Sequence, residues 1–375
     1  VFLALNEIRR AKARFGLLIS AIALLVFLIL FQQTLQTGLI TSFVGAVQNQ
    51  SAPVLVYSVD GRRNLQGSVV LPELEAAVRG AEGVGALGRL GQATVTVRPP
   101  SGSDGAFSMA VIGFDDPALG APTTIVEGRL PEGPGEIVAS EPDAALGLAV
   151  GDVVVVEPGG LELEVVGRAR DVNLFASPTA FGTYATFEDV VAASNPDARA
   201  PLPNALALAP AEGVTDDELV EAVNATSPEV DALTRADAAT ESPGVADVNR
   251  SFQIILGLFG LVVPIVTGLF FLIVTFQKAE SLTLLRAVGI AGRRLVASLL
   301  VQVAVIMGAA LALGTLLYLP LSQQRIGEIP LRFQGGAVLV WWVVLSTLGL
   351  LSSLLAAKRV LRIDPIEATT GAEVR

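Results

Sequence analysis

The chain has no cysteine and no histidine in 375 residues. The first absence excludes a disulfide framework, thiolate chemistry and zinc sites built on Cys and His. The second excludes imidazole acid–base catalysis and a histidine haem ligand. Methionine occurs only at Met109 and Met307, and lysine only at Lys12, Lys278 and Lys358. There is no G-x-x-x-x-G-K-[ST] loop, so the chain does not hold ATP in that way. Internal repeats and low-complexity tracts are also missing. Adjacent carboxylates occur at Asp115–Asp116 and Asp216–Asp217. Adjacency alone does not bring acids together in a pocket, so no catalytic residue is assigned.

What the chain does have is apolar length. It is 52% hydrophobic, with a mean hydropathy of +0.62. Uncharged apolar runs cover Phe15–Phe31, Phe252–Phe276, Leu295–Leu319 and Ala337–Ala357. A membrane span needs about 20 such residues. The first run is shorter, but Gln32–Val47 continues it without charge. Arg9, Arg10, Lys12 and Arg14 resemble the basic start of a cleaved leader. The apolar part is longer than the usual ~7–15 residues, however, and no small-x-small site follows directly, so it reads as a retained helix.

Basic residues mark the sides. Arg9–Arg14 precede the first run. Lys278, Arg286, Arg293 and Arg294 lie between the second and third, and Lys358, Arg359 and Arg362 follow the fourth. By the positive-inside rule these segments are cytoplasmic, with both termini inside. The expected organisation is a cytoplasmic amphipathic segment at 1–14, a first span with an outer extension at 15–47, and an extracytoplasmic domain at 48–250. A second span at 251–277, a cytoplasmic connection at 278–294, a third span at 295–319, an outer loop at 320–334, a fourth span at 335–357 and a cytoplasmic tail at 358–375 complete it. The fold class is thus membrane α-helical, with four spans arranged one plus three and a large extracytoplasmic α+β domain between the first and second. The location is a bacterial inner membrane. No nucleic-acid partner is expected.

The outer segment alternates strand and helix signals. Strands are expected at Ala52–Ser58, Ala93–Arg98, Phe107–Phe114, Asp152–Glu157 and Leu161–Ala169. Pro158–Gly160 should turn the last two into a hairpin. Amphipathic helices are expected at Leu71–Ala81 and Thr215–Ala225, the second opened by a capping box of Thr215 and Glu218. The loop Asn195–Asn204 divides two lobes.

The cytoplasmic connection "ESLTLLRAVGIAGRRLV" (Glu280–Val296) reads as a short helix. Ser281 can cap it, and Leu282, Leu285 and Val288 share one face. Gly289 and Gly292 then allow a turn into the third span. On composition alone it is either a basic loop that fixes topology or a docking helix for a cytoplasmic partner.

Three stretches carry a family resemblance. "KAESLTLLRAVGI" (Lys278–Ile290) resembles the segment after the second span in FtsX-like/MacB-like ABC-transporter permeases, with Glu280, Arg286, Ala287, Val288 and Gly289 matching. Ser281 and Thr283 stand where Ile-Gly is more frequent. "VLRIDPIEAT" (Val360–Thr369) resembles the family's C-terminal ending. "EGRLPEGPGEIVASEPDAALGLAVGDVVVV" (Glu127–Val156) is similar to its outer-domain signature. The N-terminal stretch looks most like the DevC-type and haem-exporter branches.

The resemblance implies a non-catalytic permease subunit with no cofactor of its own. ATP and magnesium would sit on a separate ATPase subunit, two permeases pairing with two ATPases. The coupling contact to that ATPase would comprise Glu280, Leu282, Leu285, Arg286, Ala287, Val288, Gly289, Arg293 and Arg294. Substrate, a hydrophobic or lipid-like compound, would leave from the outer side of the membrane. The competing reading is an FtsX-type scaffold that activates an extracytoplasmic partner protein without transport. Those scaffolds tend to have small outer domains, and about 200 residues here favour export. A membrane-anchored enzyme is the third reading and lacks a catalytic constellation.

The outer end of the first span mixes amides with large apolar groups. Gln33, Gln36, Ile40 and Phe43 fall on one stripe at helical spacing. Amides facing lipid are costly, so the stripe is expected either to line a seam with a second protomer or a lateral groove, or to be a solvated helix end. For haem, the chain leaves only weak ligands such as Tyr57 or methionine.

Overall fold

The computed structural model describes residues 12–99, 105–195, 197, 200–277, 292–326 and 329–361. It divides into two compact units. One comprises residues 1–36, 250–325 and 331–375; the other comprises 37–249 with 326–330.

The first unit is helical. Among the described residues four helices are long and apolar enough to cross a membrane. They are α1 (Lys12–Gln48), α6 (Val245–Gln277), α7 (Gly292–Tyr318) and α8 (Gly335–Leu361). Helix α1 runs on beyond this unit, its last residues belonging to the second. Phe15, Ile22, Val26 and Ile29 of α1 share a buried cluster with Val263 of α6, Ile306 and Leu311 of α7, and Leu345 of α8. Several polar groups inside it are bonded, as a low-dielectric setting favours. Thr34 and Tyr318 hydroxyls meet at 2.5 Å. Helix α6 contains Pro264, which supplies no N–H and so interrupts the helical ladder. The Ser352 hydroxyl of α8 donates to the Pro264 carbonyl at 2.7 Å. Thr267 bonds back to the Val263 carbonyl at 2.8 Å, a habit that bends helices.

The second unit is built on one ten-stranded sheet. Strand β1 (Val54–Ser58), helix α2 (Pro72–Arg79) and β2 (Val84–Arg98) come first. After a long insertion come β9 (Ala205–Pro210), α4 (Asp216–Asn224) and β10 (Val230–Thr234). Their order is β10-β1-β9-β2, every neighbouring pair antiparallel. This is the split β-α-β arrangement of two interleaved units. Val54, Val56, Leu206 and Leu208 pack with Leu74 and Val78 of α2 and with Leu219 and Val223 of α4. The Thr215–Glu218 capping box is present at the start of α4.

The insertion makes the second lobe. It contains β3 (Phe107–Phe114), β4 (Ile125–Gly128), β5 (Glu136–Ser140), β6 (Val153–Glu157), β7 (Leu161–Ala169), β8 (Thr179–Thr183) and α3 (Tyr184–Ser194). Strands run β2-β3-β8-β5-β7, and β6 pairs with both β7 and the far end of β2. The path therefore closes into a small barrel, which removes most free edges. Val95, Val97, Met109, Val111, Ile137, Val154, Leu163 and Val165 fill it. Strand β2, 15 residues long, belongs to both lobes. Short helix α5 (Arg235–Thr240) leads on toward α6.

Candidate functional site

The chain enters and leaves the sheet domain through elements that pack together. Val44, Ala46 and Val47 at the end of α1, Ala238 and Ala239 of α5, and Val245 at the start of α6 lie in one apolar cluster. Leu55 and Tyr57 of β1, Ile112 and Phe114 of β3, and Phe181 of β8 complete it. The entry and exit points of the polypeptide thus share a core.

The end of α1 is fastened by the loop of residues 170–178. The Phe175 and Ala176 N–H groups donate to the Phe43 and Ser42 carbonyls at 2.9 and 2.8 Å. The Ala46 N–H donates to the Asn173 carbonyl at 3.0 Å, and Asn49 Nδ2 to the Asp171 carbonyl at 2.7 Å. To reach these positions Asp171, Phe175 and Ala176 take φ values of 57°, 51° and 52°. Such backbone costs on the order of 1–3 kcal/mol per residue and persists only where the surroundings over-determine it.

What determines it here is a buried polar knot. The Ser140 hydroxyl donates to Asn173 Oδ1 at 2.6 Å, and Asn173 Nδ2 donates to Asp143 Oδ2 at 3.0 Å. The same carboxyl oxygen accepts from the Thr179 N–H at 3.3 Å, and Thr179 Oγ1 accepts from the Leu174 N–H at 2.9 Å. Ser140, Asp143, Asn173 and Thr179 are all buried. Gly45 completes the joint. A Cβ there would overlap the Asp171 carbonyl oxygen and lie 3.3 Å from that of Asn173.

A second polar cluster joins elements of both lobes. Glu75 of α2 accepts from Arg89 Nε at 3.0 Å and from Arg79 Nη2 at 2.9 Å. Burial raises the Glu75 pKa, but the hydrogen bonds from the two arginines outweigh it and hold the carboxyl below its ordinary range. Asp115, after β3, accepts the Arg89 N–H at 3.0 Å, and burial holds its pKa above the ordinary value. Burial, with Glu188 adding to it, pushes the Tyr184 phenol up to about 12. In the barrel lobe Arg129 grips Glu136 at 2.5 and 2.7 Å. Those bonds pull Glu136 down to about 2.

The residues expected from sequence to form the coupling contact fall mostly outside the described residues. Glu280, Leu282, Leu285, Arg286, Ala287, Val288 and Gly289 do so entirely. Arg293 and Arg294 lie in the first turn of α7. In the α1 stripe, Gln36 is buried at 8% exposure, Gln33 and Ile40 are half-buried, and Phe43 is exposed at 39%. The stripe therefore crosses three environments. Tyr57 is 1% exposed and Met109 and Met307 are equally enclosed, so none of the three is presented to a haem. Burial and the charge of Asp231 hold the Tyr57 phenol protonated. Among the described residues no group of three or more acidic side chains is gathered to hold a metal ion. Sequence reading missed the Asn173–Asp143 knot. The signal available was a polar Asp171–Val172–Asn173 run directly after a strong strand.

No protein-family model matches the chain. The curated proteins to which the chain is similar include ABC-transporter permeases. An uncharacterized ABC transporter permease of Mycobacterium tuberculosis is 26% identical over 379 residues, 99% of each chain. Hemin transport system permeases named HrtB also match. The one from Staphylococcus haemolyticus is 33% identical over 119 residues and that from Staphylococcus epidermidis 28% over 121, each 32% of this chain. These matches span about a third of the HrtB proteins, 34% of their length. Among solved structures, the periplasmic region of MacB from Actinobacillus actinomycetemcomitans aligns at TM-score 0.36 and 10% identity. It covers 51% of this chain and 92% of its own. The extracellular domain of the Gram-positive transporter YknZ aligns at TM-score 0.33 and 12% identity, over 48% and 99%.

Proposed function

We propose that the chain is the membrane permease subunit of an ABC exporter of the mechanotransmitting type. It couples ATP hydrolysis on a separate ATPase subunit to extrusion of a hydrophobic or lipid-like compound from the outer side of a bacterial membrane. The observation that carries the reading is the shared core at the domain's two junctions. The end of α1 and the start of α6 pack in one cluster, and the loop of residues 170–178 fastens α1 by backbone hydrogen bonds. A displacement of either helix would thus be transmitted to the sheet rather than absorbed in a linker, because packed interiors yield little. The full-length similarity to an ABC transporter permease supports the same reading.

In this account two permeases pair, and residues Glu280–Arg294 dock on the ATPase. Of the α1 stripe, Gln33, Ile40 and Phe43 line the protomer seam or a groove open to the outer leaflet, and Gln36 is buried within the protomer. Both termini are cytoplasmic. The cargo is held by apolar contact rather than by ligation. The test is to reconstitute the chain with its ATPase in nanodiscs and screen compounds for stimulated ATP hydrolysis. Hydrophobic or lipid-like compounds should stimulate. Stimulation only by an extracytoplasmic protein, with no compound moved in vesicles, would replace export with signalling.

A further inference from the structure

The segment of residues 48–250 carries 30 acidic residues against 11 basic ones, all arginine, a formal charge of −19. One part of it is built more rigidly than a connecting loop requires. After β1, a single turn at Val59–Gly61 leads into Arg62 and Arg63, whose φ values are 48° and 61°. Two successive non-glycine residues in the left-handed region are strained. The loop is clamped on every side. The Ser58 N–H donates to Ser68 Oγ at 2.9 Å, and the Gln66 N–H to Asn64 Oδ1 at 2.9 Å. Asn204 Nδ2 holds the Ser68 carbonyl at 3.0 Å, and the Val70 N–H bonds the Pro203 carbonyl at 2.8 Å. Arg63 pairs with Asp231 at 2.9 Å and with Glu241.

This frame presents apolar side chains to solvent. Val59, Val69 and Leu71 are 48%, 47% and 50% exposed, while Val70 between the last two is 1% exposed. The alternation is that of an extended strand with one face out. The three line a groove of about 500 Å³ with Pro228 on it as well, and Asp60, Glu73 and Glu229 supply its charge. No cation lines it; Arg62 is exposed but is not part of the lining.

We propose that this groove receives an extended polypeptide segment in which basic side chains alternate with apolar ones. The period-two apolar face matches the period of an extended peptide. The three carboxylates match its cations, and the domain's charge draws such a segment in over longer range. An acidic rim disfavours anionic lipid head groups and acidic peptides. The site is independent of whether the chain exports a compound or signals.

The probe is a fluorescein-labelled hexapeptide, Lys-Val-Lys-Leu-Lys-Val, titrated by fluorescence anisotropy against the full chain in nanodiscs of neutral lipid. Its controls replace lysine by glutamate, or the apolar residues by serine. The lysine–apolar peptide should bind at least tenfold more tightly than either control, with affinity falling as salt rises. The exposed double substitution Val59→Ser/Leu71→Ser should weaken it at least tenfold. Asp60→Asn/Glu229→Gln should weaken it similarly and flatten the salt dependence. Glu162→Gln/Glu188→Gln, on the barrel lobe, should change nothing. Equal binding of the lysine–serine peptide would reduce the effect to bulk charge and overturn the proposal. So would no binding, indifference to both groove variants, or equally tight competition by a small cationic amphiphile.

Discussion

Gly45→Ala tests the joint between α1 and the sheet domain. In an isolated helix the change is favourable by up to about 1 kcal/mol, because alanine is the better helix former. Here the new Cβ overlaps the Asp171 carbonyl oxygen and lies 3.1 Å from its carbon. Both are backbone atoms in a strained loop, so the loop itself must lift. Lifting it breaks the bonds from Phe175, Ala176 and Ala46 at 2.8–3.0 Å and that from Asn49 at 2.7 Å. At about 0.5–1.5 kcal/mol net for each, the four contribute roughly 2–6 kcal/mol. Even the low end exceeds the helical gain, and a net loss of about 1–5 kcal/mol follows. The assay is hydrogen exchange by mass spectrometry on the full chain in nanodiscs, with peptides covering residues 42–49 and 170–179. Exchange in both should rise together by about one to four orders of magnitude, since about 1.4 kcal/mol is tenfold. The interior of the β3–β8 pair should stay protected. Unchanged or greater protection would refute the claim that the loop grips α1 through its backbone.

Asn173→Ala should produce the same exchange pattern without any clash, since it strips Asp143 and Ser140 of a partner. A knot that acts only through volume would instead tolerate the nearly isosteric Asn173→Leu better than Asn173→Ala. Glu136 sits at about 2 against an ordinary 4.5, so its stabilisation is full above pH ~4.5 and is lost as pH falls toward 2. Arg129→Ala should therefore move the acid onset of exchange in β5 up toward pH 4.5, and an unmoved onset would discount the pair. Glu75, also held low, has the same sign, and Arg89→Ala should sensitise α2 to acid. Ser352→Ala frees the Pro264 carbonyl and should cost about 1 kcal/mol, read as faster exchange in α6 with α7 unaffected. Cysteines at Ser103 or Asp217 should be labelled from outside by an impermeant thiol reagent, and one at Ser281 only after permeabilisation. The reverse pattern would invert the topology.

The apolar runs made the four long helices legible, because length and lack of charge are properties of the chain itself. Strands β3 and β7 and helices α2 and α4 were also legible, since alternation and capping are local signals. The first half of β2 was not. Gly85, Gly88 and Gly91 mute its strand pattern, and the reason for one lies far away: the Phe187 ring occupies the space a Cβ at Gly91 would take. Strand β9 is a buried alternation of alanine and leucine, with no polar face to mark its period. Strands β5 and β8 depend on their neighbours in the closed barrel. The polar knot was hidden for the same reason. Ser140, Asp143, Asn173 and Thr179 are unremarkable in sequence and meet only because β5, the loop after β7 and the start of β8 converge.

In the proposed function, the segment Glu280–Arg294 couples this chain to an ATPase. The direct measurement is ATP hydrolysis and co-purification of the reconstituted complex, comparing the wild type with Leu285→Asp and Arg286→Ala. A charge placed unpaired on an apolar docking face costs several kcal/mol. Both variants should insert normally, Leu285→Asp should lose the ATPase on purification, and compound-stimulated hydrolysis should fall to the level of the ATPase alone. Full assembly and full stimulation in both variants would contradict it.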